Sequence, residues 1–121
     1  MIKLLKFASI PVRDQQRALD FFTRSLGFTV VTDQPWGNGL RWIELGINGM
    51  QTGVVLFTPP GLEDRIGTFS GLSFEADSVE KTYEEFVRRG VEFVQPPKKE
   101  PWGTSAIFKD PDGNTFVLSS K

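Results

Sequence analysis

Apolar positions recur along the chain in two rhythms. Leu19, Phe22 and Leu26, and again Val79, Tyr83 and Phe86, fall three or four residues apart, the spacing of a helix with one buried face. Asp14 precedes the first stripe and Asp77 or Ser78 the second, where a side-chain oxygen accepts from amides that the first turn leaves unpaired. Gly27 and Gly90 follow, suited to the left-handed residue that ends a helix. Helices are therefore predicted near 15–26 and 78–89. Runs of β-branched and aromatic residues bounded by turn formers predict strands at 3–11, 28–32, 40–46, 53–58, 69–76, 91–94, 104–109 and 114–119.

The same order of elements occurs twice, and landmarks recur with it. Gly27 is matched by Gly90, Pro35-Trp36-Gly37 by Pro101-Trp102-Gly103, and Asn48-Gly49 by Asp112-Gly113, at separations of 63, 66 and 64 residues. A fixed period of this kind marks a duplicated unit. Asn-Gly and Asp-Gly supply the positive φ angles of tight hairpins, so the third and fourth strands of each unit should pair antiparallel. The expectation is an α+β chain of two tandem βαβββ units, unit one over about 1–58 and unit two over about 69–121. The connection at about 59–68 contains Pro59-Pro60-Gly61. At 121 residues one domain, 1–121, is expected.

Composition narrows the chemistry. Lys plus Arg number 14 against 15 Asp plus Glu, a net charge of -1, so no global field gathers nucleic acid or anionic lipid. No stretch approaches 18 apolar residues, and the N-terminal apolar run is broken by Lys6, so neither a membrane span nor a signal peptide is expected. The reading is a soluble cytoplasmic protein. There is no Cys and no His, which removes thiolate chemistry, the commonest metal ligand and the side chain best suited to proton transfer near neutrality.

Ile10-Pro11-Val12-Arg13-Asp14, Ala18-Leu19-Asp20-Phe21-Phe22 and Leu26-Gly27-Phe28 resemble the first strand-helix unit of the vicinal oxygen chelate superfamily, the glyoxalase, bleomycin-resistance and extradiol-dioxygenase-like proteins. Phe108-Lys109-Asp110-Pro111-Asp112-Gly113-Asn114 is similar to that superfamily's terminal hairpin. The resemblance implies that each unit is a curved half-barrel, that two halves enclose a cleft, and that the chain pairs as a homodimer. It also places the metal ligands of metal-using members on the first and last strands of each unit. Carried over, those positions are Phe7, Val55, Gly71 (or Ser70, one residue earlier) and Val117. None is a metal ligand, so no metal and no cofactor is expected.

The alternation of a strand adds further pocket candidates. Ser9 shares the face of Phe7, Phe57 that of Val55, Ser73 and Glu75 that of Gly71, and Ser119 that of Val117. This wall of aromatic, aliphatic and hydroxyl groups suits a small hydrophobic or aromatic ligand. Trp36, Trp42 and Trp102 are either ligand-stacking surfaces or core and interface anchors. Arg41 and Glu44 share one strand, and only one of them can face inward. Glu44, and less so Glu75, are the carboxylates able to serve as acid or base if buried. Lys98-Lys99-Glu100 reads as a charged loop, with Lys99 either solvated or folded over a pocket mouth. Gly37-Asn38-Gly39 has neither a following helix nor a Walker lysine, so a nucleotide site is excluded.

Three functions follow as expectations. The first is a metal-free protein that binds a small hydrophobic or aromatic compound, in a resistance or sequestration role. The second is an enzyme, such as an isomerase, lyase or dioxygenase relative, that uses Glu44 or a carboxylate-held Mg²⁺ or Mn²⁺. The third is a module whose cleft is filled by its own side chains.

Overall fold

The structure, a computed structural model, describes residues 1–120; residue 121, the end of the expected second unit, lies outside them. Two compact units meet at Ile66 and Gly67 in the sequence. The first contains β1 (Phe7–Ile10), α1 (Gln15–Asp20), β2 (Thr29–Gly37), β3 (Leu40–Gly46) and β4 (Gly53–Leu56). The second contains β5 (Phe69–Glu75), α2 (Val79–Arg88), β6 (Glu92–Glu100), β7 (Gly103–Lys109) and β8 (Thr115–Ser119). Each is a βαβββ unit with an open four-stranded sheet, ordered β1-β4-β3-β2 and β5-β8-β7-β6. The first and last strands of each unit run parallel, and the other neighbours antiparallel. The chain is an α+β protein.

Both helices begin where the sequence placed their caps. The Asp14 carboxylate accepts from the Arg17 amide at 3.0 Å, and the Ser78 hydroxyl, rather than Asp77, accepts from the Lys81 amide at 3.2 Å. The first helix is regular only to Asp20 and continues as a wider π turn over Phe21–Ser25. The Asn48-Gly49 turn has positive φ at both residues and closes with Met50 N–H on the Ile47 carbonyl at 2.9 Å, the geometry Asn-Gly favours. In the Asp110–Gly113 turn only Gly113 is left-handed. There the Asp110 carboxylate accepts from the backbone of Asp112 and Asn114 and from the Asn114 side chain.

Two strands run longer than expected. β2 extends through Pro35-Trp36-Gly37, and β6 through Pro96-Pro97 into Lys98-Lys99-Glu100, so the expected charged loop is strand. Both are edge strands, where a proline without an N–H costs no ladder bond on the open side, and both carry register shifts. β1 is shorter than expected because residues 3–6 are exposed and pairing with β4 begins at Phe7 opposite Gly53. Gly53 is required there: a Cβ would lie 2.5 Å from the Leu45 carbonyl oxygen.

Each sheet buries the face that its helix covers. In unit one α1 packs on β3 and β4, and Ile10, Ala18, Phe22, Ile43, Leu45, Val54 and Leu56 are buried. In unit two α2 packs on β6 and β7, and Phe108 touches Phe74, Phe86, Phe93 and Phe116 at ring distances of 5.4 to 6.4 Å.

Candidate functional site

The opposite face of unit one carries the site. Register aligns Ser9, Val55, Glu44 and Thr32 in one row across β1, β4, β3 and β2. Phe7, Trp42, Phe57 and Trp36 form a chain of ring contacts on this unit. Phe7 meets Trp42 at 5.6 Å, Trp42 meets Phe57 at 5.4 Å, and Trp36 meets Trp42 at 5.2 Å and Phe57 at 6.0 Å. These separations are those of favourable aromatic pairs. Trp36 nevertheless keeps 60% of its surface exposed, so a large aromatic face remains open to a ligand.

Beside these rings lies an open cleft of about 970 Å³. Val12, Trp36, Leu40, Phe57 and Ile66 supply its apolar wall, and Arg13, Glu63 and Asp64 add charge of both signs. A smaller cavity of about 450 Å³ shares Val12, Arg13, Leu40, Phe57 and Thr58 with it and continues to Asp14, Gln15, Gln16 and Arg41. The larger volume is that of a drug-sized ligand site.

Of Arg41 and Glu44, Arg41 lines the smaller cavity and Glu44 lines neither. Glu44 is half-buried in the row with Val55. Arg41 instead forks onto Asp33, Nε to Oδ1 at 3.0 Å and Nη2 to Oδ2 at 2.6 Å, and Nη1 donates to Gln16 Oε1 at 2.8 Å. The hydrogen-bonded Arg41 holds the Asp33 carboxyl below its ordinary value, and Asp33 in turn raises the guanidinium.

The remaining sequence candidates divide between the units. Val55 is fully buried and lines neither cavity, whereas Phe57 lines both. Gly71, Ser73 and Glu75 alternate as exposed positions on β5. Ser73 pairs with Val117 and Glu75 with Ser119 on β8, and the Ser73 and Ser119 hydroxyls stand 3.3 Å apart. Trp102 is 59% exposed and belongs to unit two. Strand parity missed Val12, Arg13, Leu40, Thr58, Glu63 and Ile66. Most lie outside the strands or at their ends, where alternation has no force. The connection offered two apolar residues, Leu62 and Ile66, of which Ile66 lines the cleft.

The metal of the superfamily does not fit this chain. Phe7, Val55, Gly71 and Val117 offer no donor atoms, and their register neighbours bring hydroxyls and one carboxylate, Glu44, rather than a ligand set. Among the described residues no three His, Cys, Asp or Glu side chains converge, so a carboxylate-held cation finds no such group either.

Two βαβββ units, the terminal Asp-Pro-Asp-Gly-Asn turn and the aromatic cleft agree with a match to one family model over residues 4–118. The chain belongs to the Glyoxalase/Bleomycin resistance protein/Dioxygenase superfamily. It is 35% identical to the uncharacterized protein YetH of Bacillus subtilis (strain 168), over 98% of each chain. Among solved structures it is similar to a superfamily member from Sphaerobacter thermophilus DSM 20745, with a TM-score of 0.88, 36% identity, and 99% of this chain and 98% of that one covered. It is also similar to TnmS3, an antibiotic binding protein from Streptomyces sp. CB03234, with a TM-score of 0.87, 36% identity, and 98% and 96% coverage. No helix among the described residues is long and apolar enough to cross a membrane.

Proposed function

We propose that this superfamily member is a metal-free binding protein for a small, planar, mostly apolar molecule, seated against Trp36 and Phe57 and held there without chemical conversion. The observation that carries this reading is a ring cluster with Trp36 largely open to solvent, adjoining a cleft of about 970 Å³. Indoles offer large, rigid contact area at low conformational cost, and apolar walls with a few polar groups are what such ligands require. The likeness to TnmS3, an antibiotic binding protein, supports an aromatic antibiotic as the class of ligand and sequestration as the purpose. A homodimer, as is usual among relatives of this length, is the form in which the protein acts.

The test is titration of the purified protein with N-phenyl-1-naphthylamine and a panel of aromatic antibiotics, followed by tryptophan fluorescence and calorimetry. Saturable one-site binding that Trp36→Ala weakens is expected. A panel without a binder sinks the proposal, as does stoichiometric metal in protein purified without chelators.

A further inference from the structure

β3 and β4 stop pairing where the aromatic wall begins. Their ladder contains Leu45 with Val54 and Glu44 with Val55, and the same register carried onward sets Trp42 opposite Phe57. β2 and β3, by contrast, remain paired as far as Leu40. Where the β3–β4 ladder ends, the side chain of Gln15, the first residue of α1, takes over. Its Nε2 donates to the Arg41 carbonyl at 2.6 Å and to the Leu56 carbonyl at 2.8 Å, and its Oε1 accepts from the Arg41 amide at 3.0 Å. Arg41 and Leu56 are the residues immediately before Trp42 and Phe57.

We infer that Gln15 is the positioning residue of the aromatic wall: its carboxamide spans the gap between β3 and β4 and sets the separation of Trp42 from Phe57, and so the shape of the surface a ligand meets. This rests on the reading of the cleft as a binding site. Both amide protons and one acceptor lone pair are committed to strand backbone, leaving the group a spacer rather than a ligand contact. The anchor is rigid, because the Asp14 cap fixes the start of α1 and the Thr58 hydroxyl both accepts from the Val12 N–H at 2.8 Å and donates to the Val12 carbonyl at 2.9 Å. No other common side chain has this reach together with two donors and an acceptor in one plane. Glutamate has the reach but no donor for the two carbonyls, and methionine has the length without either function.

The experiment compares Gln15→Met with the wild-type chain by ring-to-ring nuclear Overhauser effects and by titration with N-phenyl-1-naphthylamine. Trp42–Phe57 cross-peaks should weaken in Gln15→Met and the probe's Kd rise about tenfold. Phe108–Phe116 cross-peaks, from rings also 5.4 Å apart but in unit two, should stay unchanged as an internal reference. Val79→Ala, a core truncation in unit two, should lower the melting temperature without altering the Trp42–Phe57 peaks. Unchanged Trp42–Phe57 peaks in Gln15→Met, or an equal change in Val79→Ala, overturn the inference. If Gln15→Met fails to fold, Gln15→Glu, which keeps the acceptor for the Arg41 amide, is judged by the same criteria. A wild-type chain that binds no probe removes the binding reading alone, and the cross-peaks still decide the role of Gln15.

Discussion

The two units share one plan and place their aromatic residues differently. In unit two Phe74, Phe86, Phe93, Phe108 and Phe116 gather on the helix side of the sheet, with Phe108 at their centre and 1% exposed. Its other face carries Ser73, Ser119 and Ser105 together with Val117 and Ile107. In unit one Phe7, Trp36, Trp42 and Phe57 share their own ring cluster, while the helix-covered face is closed mostly by aliphatic side chains and Phe22. Rings enclosed on every side contribute stability through burial, whereas Trp36 leaves most of its surface in water. One unit thus holds a dense aromatic core and the other a ring cluster with an open face.

The largest effect expected from this contrast is that of Phe108→Ala, which removes the centre of the unit-two cluster and should cost about 3–5 kcal/mol by urea unfolding. Trp36→Ala should lower stability by less than about 1 kcal/mol, since most of its surface is already in water. Equal losses would break the comparison. Gly53→Ala sharpens it within unit one: the added methyl meets the Leu45 carbonyl and should cost about 1–3 kcal/mol, read as a drop in melting temperature. Phe57→Ala should raise the Kd for N-phenyl-1-naphthylamine about tenfold, or about 1.4 kcal/mol, while Phe74→Ala leaves it unchanged in protein that is still folded.

The smallest effects are electrostatic and opposite in sign in the two units. The Arg41 hydrogen bonds lower the pKa of Asp33, so its stabilisation is complete above the unfolded carboxylate value of about 3.9 and is lost as pH falls through the lower folded value. The pair is partly exposed and worth only about 0.5 kcal/mol. Burial raises the pKa of Asp110 against the hydrogen bonds from Asn114 that pull it down. Its contribution is therefore best below about pH 3.9 and declines as pH rises through the folded value. Melting temperatures from pH 3 to 7 should show the advantage of wild type over Asp33→Asn shrinking on acidification, and that over Asp110→Asn growing. Parallel slopes would remove this difference between the units.

Periodicity, caps and turn pairs made the βαβββ repeat legible, because each is a local demand that few residues can meet. Leu19, Phe22 and Leu26 outline a helix wherever it packs, and Asn48-Gly49 turns the chain by its own φ angles. The longer reach of β2 and β6 was hidden, since Pro35, Pro96 and Pro97 mark breaks unless the strand is known to be an edge. Parity set Phe57 and Val55 on one face and left open whether Arg41 or Glu44 turned inward. It did not reveal that Val55 is sealed, that Arg41 is drawn to Asp33, or that the cleft continues past Leu40 to Ile66.

The sequence by itself determined the duplicated α+β plan, the helix boundaries to within a turn, and the lack of donor atoms at Phe7, Val55, Gly71 and Val117. These follow from residue chemistry and short-range geometry alone. Only the tertiary structure decided which ring meets which, how much of Trp36 stays open, and that Gln15 stands between Arg41 and Leu56, residues 26 and 41 positions away. Contacts of that separation depend on how strands are ordered and where a ladder ends, and no local pattern in the chain encodes either.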